Sequence, residues 1–259
     1  MCSKPQLPAL NPVALRSELP RPWRQLEVIE QTGSTNSDLV ARAAAGENVE
    51  GVVLLAEHQT AGRGRAGRSW LTVPGGQIAM SVGVAANAVP SDRWGWLPLA
   101  TGLAVVDTVS PLTSTPIGIK WPNDVLAPQG KLAGILAEVA SPYTVIVVGL
   151  GLNVAHHPDP AAVSLTDVGV ATTDRNELIP ALLSHLGDRI EQWRSANPRL
   201  IEDYRARSVT LGYQVRARLP GDREVVGTAR SVDAEGRIVI DSDGRDVAVS
   251  AGDVVHLRR

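Results

Sequence analysis

GKLAGILAE, residues 130–138, is a strongly apolar run of strand length that begins beside a lone lysine. Small and branched apolar residues in a short run of this kind are typical of buried strands. Similar runs flank it, so the sequence predicts strands at 117–121, 124–126, 132–139 and 143–154, joined by short turns. Successive strands of this kind predict a sheet at the centre of the protein.

Further elements are predicted on both sides of this region. Thr35 and Asp38 have the spacing of a capping box at the start of a helix, and Gly46 would close that helix. Pro180 is expected to disturb the first turns of a later helix. The predicted elements are strands at 25–30, 51–57 and 77–85, and helices at 35–45, 92–110, 174–195 and 198–207.

The pattern changes after residue 207. Five short alternating runs follow at a spacing of about ten residues, separated by Gly-containing turns, and this arrangement predicts a small closed barrel. Residues 1–22 form a Pro-rich segment that we expect to be a loose lead-in and not a domain. The predicted division is therefore 1–22, a catalytic domain at 23–207 and a barrel at 208–259.

Composition limits the class of protein. The net charge of −2 lacks the basic excess of a nucleic-acid binder, and 44% apolar residues are ordinary for a globular chain. The single cysteine, Cys2, cannot form an internal disulfide, which favours a reducing cytoplasm. Residues 1–22 do not have the apolar core of a secretory signal, and the chain has no run long enough to span a membrane.

The loop GRGRAGRSW at 62–70 alternates arginine with glycine. Glycine lets the backbone approach an anion closely, and arginine donates paired hydrogen bonds to carboxylate or phosphate oxygens. We therefore expect a mobile loop that an anionic ligand orders. Two alternatives remain for the loop alone, a solvated basic loop and a tract that contacts RNA.

KWPNDVL, residues 120–126, joins two predicted strands. Its Pro-Asn-Asp centre is typical of a tight turn, which is one interpretation. The other is that Asn123 and Asp124 offer oxygens to a Mg²⁺ ion carried by a nucleotide. Lys131 also has two interpretations, a surface lysine at a strand edge or an ammonium that meets an anion.

GLGLNV, residues 149–154, resembles the start of a dinucleotide-binding fingerprint, but Val154 stands where the third glycine would fall. The Rossmann interpretation is therefore excluded. A glycine pair beside a flat ligand, with Asn153 hydrogen-bonded to an adenine edge, remains.

Five segments in this order resemble the biotin protein ligases. They are GSTN (33–36), GRGRAGRSW (62–70), KWPND (120–124), GKLAGILAE (130–138) and GLGLNV (149–154). The resemblance extends from about residue 23 to the C-terminus. It implies an α+β fold, with a mixed-sheet catalytic domain related to class II aminoacyl-tRNA synthetases and a C-terminal SH3-like barrel.

The resemblance also implies a role for each matching residue. Lys131 matches the family's catalytic lysine, and Arg63 acts beside it. The implied biotin-binding residues are Ser34, Thr35, Asn36, Gln59, Gly62, Arg63, Lys131, Leu132, Ala133 and Gly134, with the backbone at 132–134 paired with the ureido ring. The implied nucleotide-binding residues are Arg63, Arg65, Arg68, Trp70, Trp121, Asn123, Lys131 and Asn153. Asp124 is the implied ligand of Mg²⁺.

The implied reaction uses ATP to convert biotin to biotinyl-5'-AMP, with release of pyrophosphate. A lysine of a biotin carboxyl carrier protein or domain, from an acyl-CoA or pyruvate carboxylase, then takes the acyl group and AMP leaves. Only 22 residues precede Trp23, which predicts the monofunctional class without a DNA-binding domain. The expected protein is a monomer or a weak homodimer that binds neither DNA nor membranes. The rival functions are a lipoate ligase or octanoyl transferase, and an RNA-binding module.

Overall fold

The computed structural model describes residues 7–140, 144–219, 221, 223–250 and 252–257. Two β-sheets organise these residues, one of seven strands and one of five. Five α-helices accompany them in the described part of the chain. The protein is therefore a mixed α+β protein with a separate C-terminal sheet, and the predicted fold class is confirmed at this level.

The larger sheet is mixed, as predicted. Its strand order is β1-β2-β3-β7-β6-β5-β4, with β1 and β2 parallel and the other neighbours antiparallel. This order brings chain-distant strands β3 and β7 side by side. The strands are β1 Gln25–Thr32, β2 Val52–Gln59, β3 Gln77–Ala85, β4 Gly118–Lys120, β5 Asp124–Ala127, β6 Gly130–Ala140 and β7 Val145–Asn153.

The helices are α1 Pro12–Ser17, α2 Thr35–Ala44, α3 Trp96–Val109, α4 Arg175–Arg194 and α5 Arg199–Arg207. The cap of α2 is Ser34 and not Thr35, since Ser34 Oγ accepts a hydrogen bond from the backbone N–H of Ser37. Helix α4 continues through Pro180, which the sequence had predicted to disturb it. Both differences concern how a helix begins and leave the number of helices unchanged.

Alternate residues of β2 enter two different hydrophobic clusters, as the period of a strand requires. Val53 and Leu55 belong to the large cluster that also contains the buried residues of α3 and α4. Val52 and Leu54 belong to a second cluster with Leu39 of α2. Helices therefore cover both faces of the sheet, and α2 covers the face on which the site described below lies.

The N-terminal segment differs from the prediction. Within residues 7–22 the chain forms α1, and Leu15 is buried in the main core. Glu57 of β2 accepts a hydrogen bond from the backbone N–H of Leu10 and forms an ion pair with Arg175 at 2.6 Å. Arg175 in turn donates to the carbonyl of Pro8. A loose lead-in is therefore wrong for these residues, because buried apolar and ionic contacts attach them to the sheet.

The C-terminal sheet is antiparallel, in the order β11-β10-β9-β8-β12. Its strands are β8 Gln214–Leu219, β9 Arg223–Val232, β10 Ile238–Ser242, β11 Arg245–Val249 and β12 Asp253–His256. All five predicted short strands are present. Among the described residues, no helix combines the length and the apolar character that a membrane span needs.

Candidate active site

A cavity of about 290 Å³ opens beside the start of α2, over strands β3, β6 and β7. Two groups of residues contribute to its lining. The first, the polar wall, consists of Ser34, Thr35, Asn36, Gln59 and Ser81. The second is the arginine loop, residues 62–70, whose arginines and Trp70 line the cavity.

The polar wall is a continuous chain of hydrogen bonds. Asn36 Nδ2 donates to Glu138 Oε2 at 2.8 Å, so the carbonyl oxygen of Asn36 points the other way. Ser81 Oγ donates to this oxygen at 2.9 Å and lies 2.7 Å from Thr35 Oγ1. Gln59 Oε1 accepts from the backbone N–H of Thr35 at 2.9 Å.

Two acceptors compete for the hydroxyl proton of Thr35. Ser81 uses its own proton toward Asn36, so Thr35 Oγ1 has one proton for both Ser81 Oγ at 2.7 Å and Gln59 Oε1 at 3.1 Å. Buried polar groups with such internal partners keep their rotamers, because each broken bond would leave a buried donor or acceptor unpaired. The polar wall is therefore rigid before any ligand arrives.

The arginine loop forms a short hairpin. Trp70 N donates to Gly62 O at 2.8 Å and Gly64 N donates to Arg68 O at 2.7 Å. At its tip, Ala66 and Gly67 both have positive φ, of 54° and 72°. The left-handed conformation is costly for alanine, which stores strain of about 1–2 kcal/mol at the tip.

The cations of the arginine loop have polar partners of their own. Arg63 forms an ion pair with Glu138 at 2.9 Å, although half of the Arg63 side chain is exposed. Arg65 Nη1 donates to Asn123 Oδ1 at 3.4 Å. Exposed contacts of this kind contribute little to stability, so an anionic ligand can replace them at small cost.

Lys131 lines the same cavity, beside Trp70 of the arginine loop. Its Nζ is 2.7 Å from Asp124 Oδ1 and 5.5 Å from the ring centroid of Trp70. The backbone of Lys131 is held by segment 161–163, since its N–H donates to Ala161 O and its carbonyl accepts from Val163 N. The ammonium is therefore carried on a fixed backbone, with a partner that an incoming anion can displace.

A pair of glycines forms the floor of the cavity. Gly134 of β6 and Gly151 of β7 are directly opposite each other in the sheet. A Cβ atom on Gly151 would lie 2.2 Å from Trp70 Cε2, and one on Gly134 would lie 3.0 Å from Trp70 Cζ3. Only glycine leaves room for the Trp70 ring here. The glycine pair of the sequence prediction was Gly149 and Gly151 beside a flat ligand. A Cβ atom on Gly149 would meet Asn36 Oδ1, and the flat ligand stays a prediction.

Asn153 ends β7 at the same edge of the cavity. Its Nδ2 donates to the carbonyls of Lys131 and Val163, and its Oδ1 accepts from Gln77 Nε2 at 2.6 Å. With only 1% of its surface exposed, the side chain of Asn153 is fixed. Its amide oxygen has a second lone pair for a ligand.

The candidate magnesium ligands are adjacent. Asp124 lines the cavity with one carboxylate, and the side-chain amide of Asn123 is anchored by donation from Nδ2 to Ile135 O at 2.8 Å. One carboxylate is what a nucleotide-borne Mg²⁺ takes from many proteins, with phosphate and water oxygens completing its shell. The described residues contain no cluster of three or more acidic, His or Cys side chains that would hold a metal on its own. The donor set fits a cation that enters with phosphate.

Most of the predicted site residues meet at the cavity. Those that line it are Ser34, Thr35, Asn36, Gln59, Arg63, Arg65, Arg68, Trp70, Asn123, Asp124, Lys131, Gly134 and Asn153. Gly62 lies at the base of the arginine loop, where its carbonyl accepts from Trp70 N. The side chains of Leu132 and Ala133 belong to the main core.

Trp121 lies outside the lining of this cavity. Its side chain is 2% exposed and its indole Nε1 donates to Gly236 O, between β9 and β10, at 3.0 Å. The backbone N–H of Trp121 donates to Thr210 Oγ1. With Arg65 and Asn123, Trp121 lines a second cavity, and its contact with the nucleotide stays a prediction.

Sequence reasoning missed several residues of the site. Ser81 and Gln77 lie on β3, which was predicted as a strand without any functional residue, and Glu138 and His157 were also not assigned. An alternating polar residue inside an apolar strand, such as Ser81, was the only available signal. Such a residue indicates a polar face but does not identify its partners.

Family models match both parts of this chain. The model described as Biotin/lipoate A/B protein ligase family matches residues 28–153, and that described as Biotin protein ligase C terminal domain matches residues 210–257. A biotin–[acetyl-CoA-carboxylase] ligase of Mycobacterium tuberculosis is 58% identical over 260 residues, which covers 97% of each chain.

Solved structures agree in fold. The biotin protein ligase of Aquifex aeolicus in complex with biotin and ATP has a TM-score of 0.78 at 24% identity, and covers 92% of this chain and 100% of that one. The biotin protein ligase of Leishmania major in complex with biotinyl-5-AMP has a TM-score of 0.63 at 26% identity, over 91% and 99% of the two chains. The chain belongs to the biotin protein ligase family and is a ligase enzyme.

Proposed function

We propose that this enzyme joins biotin to a protein lysine in two steps, through biotinyl-5'-AMP. In the first step a carboxylate oxygen of biotin attacks the α-phosphorus of ATP, and the bond from that phosphorus to the pyrophosphate oxygen breaks. In the second step the amine of an acceptor lysine attacks the acyl carbon. The bond between this carbon and the phosphate oxygen breaks, AMP leaves with the electron pair, and the amine loses a proton.

The observation that carries the proposal is the position of Lys131. Its ammonium is on a fixed backbone in the cavity lining, beside Trp70 of the arginine loop and 2.7 Å from the Asp124 carboxylate. Carboxylate and triphosphate repel each other, so their reaction needs a fixed positive charge that contacts both. We infer that Lys131 exchanges its contact with Asp124 for these two anions.

The arginine loop supplies the remaining positive charge in this proposal. Arg63, Arg65 and Arg68 would close over the adenylate and the pyrophosphate, and the closed loop would keep water from the reactive mixed anhydride. Asp124, released by Lys131, is the proposed ligand for the Mg²⁺ that accompanies ATP. The bound cation would neutralise charge on the departing pyrophosphate.

The polar wall favours biotin over lipoate. The ureido ring of biotin has two N–H donors and a carbonyl acceptor, whereas the dithiolane ring of lipoate has no N–H or carbonyl group. Thr35, Asn36 and Ser81 are buried and pair with one another, but their oxygens keep lone pairs that an N–H of the ureido ring can use. A ring without donors would cover these acceptors and leave them unpaired, which lowers its affinity.

We further propose the acceptor and the domain organisation. The acceptor is the biotin carrier protein or domain of an acyl-CoA or pyruvate carboxylase, in the cytoplasm, and the enzyme acts as a monomer or weak homodimer without DNA. The catalytic domain at 23–207 is inferred to be related to class II aminoacyl-tRNA synthetases. The five strands after residue 207 are inferred to form an SH3-like barrel at 208–259, and their short antiparallel pairing supports this.

The test is ATP–pyrophosphate exchange. With purified enzyme and Mg²⁺, the proposal predicts exchange of labelled pyrophosphate into ATP that requires biotin. Lipoate and octanoate at the same concentration should support no exchange above the background without acid. Exchange with lipoate equal to that with biotin would overturn the assignment of substrate, and no exchange with any acid would overturn the adenylate route.

A further inference from the structure

Gln77 is a buried side chain that the proposed reaction does not use. It begins β3 and lies directly opposite Asn153, the last residue of β7. Its Nε2 donates to Asn153 Oδ1 at 2.6 Å and to Leu71 O at 3.3 Å, and its Oε1 accepts from Val73 N at 3.2 Å. The side chain therefore links the chain just after the arginine loop to the residue at the cavity edge.

These contacts fix which way the Gln77 amide points. A backbone carbonyl can only accept a hydrogen bond and a backbone N–H can only donate one. Leu71 O therefore requires the nitrogen of Gln77, and Val73 N requires its oxygen. Because the amide cannot be reversed without losing both bonds, the NH₂ group of Gln77 is presented to Asn153.

The amide of Asn153 is fixed from two sides. Its Nδ2 has two hydrogens, and they are used by the carbonyls of Lys131 and Val163 at 3.3 and 3.1 Å. Its Oδ1 receives the NH₂ of Gln77, which uses one of two lone pairs. What Asn153 can offer a ligand is therefore one acceptor position and no donor.

We propose that Gln77 is a positioning residue that makes the enzyme select adenine over guanine, by holding Asn153 as an acceptor. The inference rests on the proposed use of ATP. Adenine has an amino group, a donor, on the six-membered ring where guanine has an oxygen, an acceptor. An acceptor on Asn153 pairs with the first and is repelled by the second.

A purely structural role for Gln77 makes a different prediction. If Gln77 only anchored residues 71–73, its loss would loosen the arginine loop and weaken every anionic ligand alike. Thr72 provides a matched control, since its Oγ1 donates to Gln59 O at 2.7 Å and anchors the same segment without contact to Asn153. Only the positioning role predicts a change in the preference for ATP over GTP, so this preference distinguishes the two roles.

The test uses the full-length enzyme and three variants. Gln77→Met removes the donors without adding charge, and Gln77→Glu replaces the donor by an acceptor. Thr72→Val frees the segment from the backbone of Gln59 and leaves the contacts of Asn153 intact. For each, biotin-dependent pyrophosphate exchange is measured with ATP, with GTP and with the triphosphate of purine riboside, which lacks the amino group. Biotin binding without nucleotide is measured by calorimetry.

The parent enzyme should prefer ATP over both analogues. In Gln77→Met this preference should fall by about tenfold, through a higher KM for ATP. The carbonyls of Lys131 and Val163 still orient the Asn153 amide, but its oxygen loses the hydrogen bond that holds it in position. Gln77→Glu should lose the preference further. Biotin affinity should change by less than about twofold in both variants, and Thr72→Val should keep the parent's ratio of ATP to GTP.

Failure of this inference is distinct from failure of the proposed function. If the parent shows no biotin-dependent exchange, the proposed function is overturned and with it the basis of the inference. If the parent is active and Gln77→Met keeps the parent's preference for ATP over GTP and the purine analogue, only the role of Gln77 is overturned. A variant that melts well below the parent is replaced by Gln77→Asn, which keeps the amide, shortens its reach, and must also reduce the preference.

Discussion

The polar wall and the arginine loop line one cavity but satisfy their polar groups differently. In the polar wall, Asn36, Ser81 and Thr35 are buried and hydrogen-bond to one another at 2.7–2.9 Å. In the arginine loop, Arg63 contacts Glu138 through a side chain that is half exposed. The polar groups of the polar wall are hydrogen-bonded before a ligand binds. Those of the arginine loop have exposed partners that a ligand can replace.

This difference matches the chemistry that each side is proposed to handle. A neutral ureido ring gains most from donors and acceptors whose positions are set in advance, since no binding energy is spent on ordering them. A triphosphate must enter, react and leave as pyrophosphate and AMP, so the charges around it have to move. Lys131 stands at the boundary, on a rigid backbone but with an exchangeable ionic partner.

The largest expected effect is on the boundary residue. Lys131→Ala should lower the rate of biotinyl-AMP formation by about 10³-fold, because no other cation would contact both carboxylate and α-phosphate. The melting temperature should stay close to that of the parent, since the side chain of Lys131 is partly exposed. Rates come from single-turnover measurements with labelled ATP.

Lys120→Ala is the matched control for that experiment. Lys120 ends β4 and is absent from the cavity lining. Its loss should leave adenylate formation unchanged. If Lys131→Ala forms biotinyl-AMP at the parent's rate, Lys131 does not act on both the carboxylate and the α-phosphate. The comparison between the polar wall and the arginine loop then loses the residue that joins them.

The next effect concerns the arginine loop. Trypsin should cut the free protein after Arg63, Arg65 or Arg68, because the loop is exposed and its contacts are weak. With biotin and ATP at about 100 times their dissociation constants, cleavage there should slow by about 100-fold. Equal cleavage rates with and without both ligands would show that the loop does not close.

A smaller and selective effect is expected from the polar wall. Ser81→Ala leaves the carbonyl of Asn36 without its donor, which should raise the KM for biotin by about tenfold. The KM for ATP should stay within about twofold, since Ser81 contacts only the polar wall. Ser195→Ala, an exposed helix-end serine that bonds to Glu191 O, is the control. A parallel rise in both KM values would mean that the two sides are not independent.

The smallest expected effect lies outside the cavity, at His256 of the C-terminal sheet. It tests whether a change in that sheet leaves the polar wall and the arginine loop unaffected. Burial, with the nearby charge of Lys120, lowers the pKa of His256 below its ordinary value. The unfolded chain therefore binds the proton more readily than the folded one. Stability from this group is full above about pH 6.5 and falls as the pH drops from there toward the lower pKa of the folded state.

His256→Gln should remove this part of the pH dependence. Between pH 7.5 and 5.5 the melting temperature of the parent should fall more than that of the variant, by no more than the roughly 2–4 °C that 1 kcal/mol represents at this size. The KM values for biotin and ATP should not change. Identical pH profiles of melting for the two proteins would contradict the role given to His256.

The fold was largely predictable because its signals are local. Each strand of the main sheet was predicted from the composition of a short run, and β3 at Gln77–Ala85 was predicted with its observed bounds. The N-terminal segment was not, because five prolines in 22 residues suggest a loose chain, while the burial of Leu15 depends on a core formed by distant residues. Local composition does not report such contacts.

The sequence by itself determined the cation-bearing parts of the site: the arginine and glycine loop, Lys131, and the glycine pair before Asn153. Their chemistry is contained in residue types at short spacing. Only the tertiary structure decided that Ser81 and Gln77 line the site, that Glu138 contacts Asn36 and that Trp121 is buried outside the cavity. Asn36 and Glu138 are 102 residues apart in the chain, and only the packing of α2 on the folded sheet brings them within 2.8 Å.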